Sequence, residues 1–239
     1  GAAELTEKIP LRLSDGTSVE LLVIKGLDLD PTYIWMMEDQ MVGKISGNLH
    51  IVRQDLSTMR SEMKTFQGDI EDKSLLEVAK TLSHKVDKVL IQNVNVFTAE
   101  GTLLLNQDVF VEAKKIKAIR PTGKAVIDEK AAIINGAGKT LMPGMFDMHT
   151  HNTKFRGLLY LAGGVTSVRD LANNKQLKNL AAQFENNEII GPNIVIYSGI
   201  IDGPGPFANQ RNVIENLEEG LAEIQDYKDL GYQQIKLYS

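Results

Sequence analysis

The sequence predicts an α/β plus β fold: a β-rich front, a small β-sandwich, and then the opening of a parallel βα barrel. Two observations carry that prediction. Between Val86 and Ile119, short β-branched runs follow one another closely with turn residues between them, as in antiparallel β structure. From about residue 141 the rhythm changes to strand-length apolar runs alternating with helix-length segments, the pattern of parallel βαβ units. The chain therefore divides into a β-rich segment with a connecting helix (1–85), the sandwich (86–143) and the βα part (144–239).

In the first segment, Ile9–Leu13, Val19–Ile24 and Gly47–Arg53 have strand composition, and Ser14-Asp15-Gly16 marks a hairpin turn. Tyr33–Met37 is apolar and is expected in that segment's core. Residues 57–85 are polar, but Leu75, Leu76, Val78, Ala79 and Leu82 recur at helical spacing, which predicts a connecting arm with one helix. The sandwich strands are Val89–Ile91, Val94–Phe97, Val109–Val111 and Ile116–Ile119, with turns at Glu100-Gly101 and Pro121-Thr122-Gly123.

In the last segment, strands are expected at Gly144–His151, Val165–Val168, Asn193–Ser198 and Gln234–Tyr238. Between them lie a helix around Arg156–Ala162 and one with Leu177, Leu180, Ala181 and Phe184 on a face. A third carries the apolar stripe Leu217, Leu221, Ile224 and Leu230, with Gly231 placed to cap it. Four such units make half of an eight-unit barrel, so the sequence is expected to stop in mid-domain.

Bulk properties exclude some function classes. The chain has 26 basic and 31 acidic residues, a net charge of −5 and no basic stretch of the kind that binds nucleic acid. No apolar run has the roughly 18 residues of a membrane-spanning helix. The opening Gly1-Ala2-Ala3-Glu4 lacks a Met and reads as a trimmed or mature terminus. With no cysteine, the sequence leaves cytoplasm and periplasm both open, and any metal must be held by His, Lys or carboxylates.

The chemical signal is concentrated in Leu141-Met142-Pro143-Gly144-Met145-Phe146-Asp147-Met148-His149-Thr150-His151. Residues two apart on a strand share a face, so His149 and His151 present two imidazoles together, as a divalent ion requires. Asp147 lies on that face and is placed to orient a histidine. A bare His-x-His reads equally as two hydrogen-bonded histidines at a strand end; the Pro-Gly-x-x-Asp frame at the junction of sandwich and barrel favours metal. His50 and His84, outside this frame, read as structural or solvent-facing. Asp202-Gly203 open the Gly- and Pro-rich stretch Asp202–Phe207, a substrate loop or a connecting turn, and Arg169-Asp170 read as an ion pair supporting the barrel mouth.

The eleven residues Leu141–His151 resemble the opening barrel motif of the amidohydrolase superfamily. Gly164–Asp170, Gly191-Pro192-Asn193, Asp202–Phe207 and Gln234–Ser239 are similar to its imidazolonepropionase- and prolidase-like branch. The resemblance covers residues 86–239, the N-terminal portion of such enzymes, with a TIM-type (β/α)8 barrel behind the sandwich. It implies that His149 and His151 bind one metal ion, and that Lys236, matching the strand-four lysine, bridges two metals when carboxylated. It also implies two further histidines and an aspartate from later strands, which this sequence does not contain.

The expected activity is hydrolysis of an amide, cyclic amide or related C–N bond of a small-molecule substrate. It would use one or two divalent ions, zinc foremost, with this portion inactive alone. No nucleic-acid or membrane partner is expected, and the open strand edges of half a barrel predict homo-oligomerisation or aggregation. Two other readings are a non-catalytic half-barrel scaffold and a simple two-histidine metal-binding module.

Overall fold

A computed structural model describes residues 2–47, 49–124, 130–205 and 212–238. The chain forms two compact units, Gly1–Val78 and Ala79–Ser239.

The first unit is an antiparallel meander with a helix on it. Strands β1 (Glu4–Arg12), β2 (Ser18–Lys25), β3 (Thr32–Met37), β4 (Gln40–Ser46) and β5 (Leu49–Val52) pair in sequence order. The Ser14-Asp15-Gly16 turn forms as expected: Leu13 N–H donates to Thr17 O, and Gly16 takes the left-handed conformation, φ 89°, that a side chain would disfavour. Tyr33–Met37, expected only as core, is a full strand because alternation buries Tyr33 and Trp35.

A 3-10 turn (Gln54–Met59) leads into α1 (Arg60–Leu82), which fills most of the arm expected over residues 57–85 and extends beyond the second half whose spacing suggested it. Its first half packs on the sheet, with Met63 and Gln67 buried and the Phe66 ring 6.0 Å from that of Trp35. Of the residues that suggested the helix, Ala79 is buried and Leu75 half-buried, whereas Leu76, Val78 and Leu82 are exposed.

The second unit opens with one mixed sheet rather than a sandwich. β6 (Lys88–Phe97), β7 (Leu103–Glu112) and β8 (Lys115–Pro121) run antiparallel. β9 (Ala132–Asn135) and β10 (Thr140–Leu141) then add in parallel to the free edge of β6 instead of folding over as a second layer. One face buries Val94, Val96 and Val109 with Ile91, Val111 and Leu141. The buried Asp108 fixes the bulge in β6, accepting from Asn93 N–H and Gly123 N–H, each at 2.9 Å.

After β10 the strands run parallel. β11 (Met145–Thr150) pairs with β12 (Val165–Asp170), and β12 with β13 (Asn193–Ile196). The expected third strand is two: at Tyr197 pairing changes partner, and β14 (Ser198–Asp202) pairs with β15 (Gln234–Tyr238). Gln233 and Gln234 N–H both donate to Tyr197 O, while Gln233 Oε1 accepts from Tyr197 N–H, which holds the break. Helices α2 (Arg156–Ala162), α3 (Leu177–Glu185) and α4 (Leu217–Asp229) alternate with the strands as expected.

The apolar stripe of α4 is not its packed face. Leu217, Leu221, Ile224 and Leu230 are exposed, and the helix instead seats Gly220 and Tyr227. Gly231 closes it at φ 77°, as its position predicts. No helix among the described residues is long and apolar enough to cross a membrane.

Candidate functional site

The chain enters β11 through Pro143-Gly144, and glycine is required there. A Cβ on Gly144 would collide with Thr166 Oγ1, so only a bare backbone lets the chain entering β11 approach β12 this closely. The C-terminal end of β11 then carries Asp147, His149 and, just beyond it, His151.

The two histidines are brought together. Their ring centroids lie 5.3 Å apart at 74°, edge to face, and both side chains are on exposed residues. Two imidazoles sharing one tetrahedral ion at Zn–N of about 2.1 Å hold their centroids about 5 Å apart, so the spacing fits a shared divalent cation. The His151 Nδ1 meets Leu171 O. A carbonyl can only accept, so a hydrogen bond here places a proton on Nδ1; of the two neutral tautomers, this is the one that leaves the Nε2 lone pair for a ligand. Asp147 takes a different part from the one its position suggests: its Oδ1 accepts from the backbone N–H of His149 at 3.0 Å, fixing the main chain rather than a ring.

The pair alone does not complete a metal site. Among the described residues no cluster of three or more His, Asp or Glu side chains is placed to hold an ion. Lys236 lies mid-strand in β15, half-buried, with Nζ 5.3 Å from the centre of the Tyr238 ring, so its described contact is with that ring rather than with the histidines. In the β14–β15 register Ile200 opposes Lys236 and Asp202 opposes Tyr238. Asp202, Lys236 and Tyr238 consequently share one face of the sheet.

Asp202 is buried at the end of β14, and Gly203 N–H donates to Tyr238 O. Both residues line a cavity of about 470 Å³ with Ile214, Leu217, Leu237 and Tyr238. Pro206 and Phe207, the rest of the expected loop, lie outside the described residues.

Arg169 and Asp170 do not pair as the sequence suggests. Arg169 Nε donates to Met148 O at 2.7 Å, and the fully buried Asp170 turns to Asn152, whose backbone N–H and Nδ2 donate to its Oδ2 at 2.6 and 2.7 Å. Burial pushes the Asp170 carboxyl above its ordinary value, against the opposing pull of the Asn152 bonds and, more weakly, of Asn173 and His151. Thr150 and Asn152, which the sequence does not single out, bond the end of β12 through Arg169 O and Asp170 Oδ2. Of the other histidines, His50 Nε2 bonds Gly47 O at 3.1 Å and His84 is exposed, as expected.

No protein-family model matches the chain. A dihydroorotase of Elusimicrobium minutum is 33% identical over 118 residues, covering 45% of this chain and 26% of the relative. Among solved structures, a candidate prolidase of Bifidobacterium longum superposes with a TM-score of 0.55 at 24% identity, over 64% of this chain and 40% of its own. A bottromycin amidohydrolase superposes with a TM-score of 0.51 at 20% identity, over 70% of this chain and 36% of its own. At these identities the structural likeness is one of fold. The chain spans about a quarter of the curated relative's length and about two fifths of the solved structures.

Proposed function

We propose that this chain belongs to the amidohydrolase superfamily, a reading that the dihydroorotase relative and the shared fold support, and that it carries the first metal-binding strand of a hydrolase that cleaves an amide, cyclic amide or related C–N bond of a small molecule. In this reading β11 to β15 are the first strands of a (β/α)8 barrel, and the ends of β11, β14 and β15 contribute to its C-terminal mouth, where such barrels place their chemistry. One observation carries it: two imidazoles at the end of the first parallel strand, spaced for one ion, with His151 Nδ1 engaged by the Leu171 carbonyl.

His149 and His151 would hold the ion, zinc foremost, and Lys236 is the candidate for a second oxygen-donor ligand after carboxylation. The bound ion would supply Lewis acidity and lower the pKa of water. The chain's own groups do the rest of the preparation. Asp147 fixes the His149 backbone, and the Leu171 carbonyl favours the His151 tautomer protonated at Nδ1, in which Nε2 is the acceptor. Two ligands do not complete a catalytic site, so the chain by itself is expected to bind an ion weakly and turn nothing over.

Cobalt(II) titration followed by visible absorption tests the proposal. Binding at one site per chain, abolished by His149→Ala and by His151→Ala, is the expected result. Cobalt uptake indifferent to both replacements would overturn it.

A further inference from the structure

Asp170 is the most completely buried carboxylate among the described residues, and no described lysine or arginine forms an ion pair with it. Its Oδ2 takes both donors of Asn152, and its Oδ1 is buried with no hydrogen-bond partner among the described residues. An unpaired buried carboxylate is costly, and something must hold it there. What surrounds it is the two-residue span that flanks His151. Asn152 Nδ2 also donates to Thr150 Oγ1 at 2.8 Å, and Thr150 Oγ1 donates to Arg169 O at 3.1 Å. Leu171 N–H donates to Thr150 O at 2.9 Å. The residues before and after His151 are thus both tied to the end of β12, and the Leu171 carbonyl that meets His151 Nδ1 is the next residue after Asp170.

We propose that Asp170 is a positioning residue for His151. Through Asn152 it locks the Thr150–Asn152 turn against the end of β12, so that the Leu171 carbonyl captures His151 Nδ1–H and leaves Nε2 directed to the ion. The idea rests on the reading of His149 and His151 as a metal pair, and it adds the group that selects the ring's tautomer. The effect is carried through backbone geometry, because Asp170 itself bonds Asn152, and it is the carbonyl of the following residue, Leu171, that meets the His151 ring.

Nitrogen-15 NMR of the imidazoles in the metal-free chain reads the tautomer. The wild type is expected to show His151 protonated at Nδ1; protonation at Nε2 would overturn the proposal without any variant. Asp170→Ala and Asn152→Ala should both lose the Nδ1–H preference. Both should weaken zinc binding, followed on the same resonances, by about 10- to 100-fold. Asp170→Asn, which keeps an oxygen able to accept both Asn152 bonds, should restore the tautomer and most of the affinity. Should Asp170→Ala not fold, Asn152→Ala, which removes only the side-chain donor, carries the same test. A purely structural role would lower thermal stability in the alanine variants while leaving tautomer and zinc affinity unchanged, and that result would sink the idea. If zinc fails to shift either histidine in the wild type, the metal reading falls, while the tautomer still decides the part of Asp170.

Discussion

The ring of Tyr227 lies flat against Gly199, so close that a Cβ at Gly199 would stand 2.5 Å from Tyr227 Cε1. This contact seats α4 on β14, with Tyr227 fully buried and its hydroxyl within 2.6 Å of Asn212 Nδ2. Gly199→Ala is therefore expected to overpack the interface and destabilise the second unit by about 1–3 kcal/mol. Urea unfolding followed by circular dichroism checks the single variant. In a double-mutant cycle with Tyr227→Leu the cost should shrink, since the ring that clashes is gone. Additive costs would show that the strain lies elsewhere.

The same helix shows what a sequence withholds. Its length, its period and its glycine cap were legible, because they are local properties of residues 217–231. Its packed face was not. Leu217, Leu221 and Ile224 form a regular stripe, yet in the structure they face outward, while Tyr227 and the Cβ-free Gly220 make the contact. A stripe reports that a helix has an apolar side; which neighbour covers that side depends on elements far away in the chain. Leu221→Glu should accordingly cost less than about 0.5 kcal/mol in this chain, whereas Tyr227→Ala should cost about 3–5 kcal/mol. A large loss on Leu221→Glu would mean that the stripe is covered.

The candidate site was legible to a similar depth. The His-x-His spacing placed two imidazoles together because strand alternation is fixed by backbone geometry. The partners of Asp147 and Asp170 were not legible, because a carboxylate takes whichever donor the fold brings: a backbone N–H for Asp147, an asparagine for Asp170. The interruption at Tyr197 was equally hidden. Asn193–Ser198 reads as one run, and only the pairing of β14 with β15 divides it.

In the first unit, Gln67 joins helix to sheet. Its Oε1 accepts from Trp35 Nε1 at 3.1 Å, and its Nε2 donates to Ile45 O at 2.9 Å and Glu71 Oε1 at 2.8 Å, all from a buried position. Gln67→Ala leaves the Trp35 N–H and the Ile45 carbonyl without these partners, at about 1–3 kcal/mol for each group stranded from water. Trp35 is the chain's single tryptophan, so its fluorescence reports this unit alone. A denaturation midpoint unchanged by Gln67→Ala would contradict the assignment.

Tyr33 gives the first unit a pH dependence of defined sign. Burial, with Glu71 next in importance, raises its phenol above the ordinary value of 10.0, and its hydroxyl is buried with no hydrogen-bond partner among the described residues. Above about pH 10 the unfolded phenol loses its proton while the folded one keeps it, so the folded state binds more protons and stability falls as pH rises. Below pH 10 that contribution is fully present. Tyr33→Phe removes the titration and an unsatisfied buried hydroxyl together. It is expected to leave stability unchanged or raise it by about 1 kcal/mol near neutral pH, and to flatten the alkaline decline. Tyr33 is the single tyrosine of residues 1–78, so Trp35 fluorescence in urea at pH 8 and pH 11 isolates its effect. An equally steep alkaline loss in the phenylalanine variant would assign the dependence to another group.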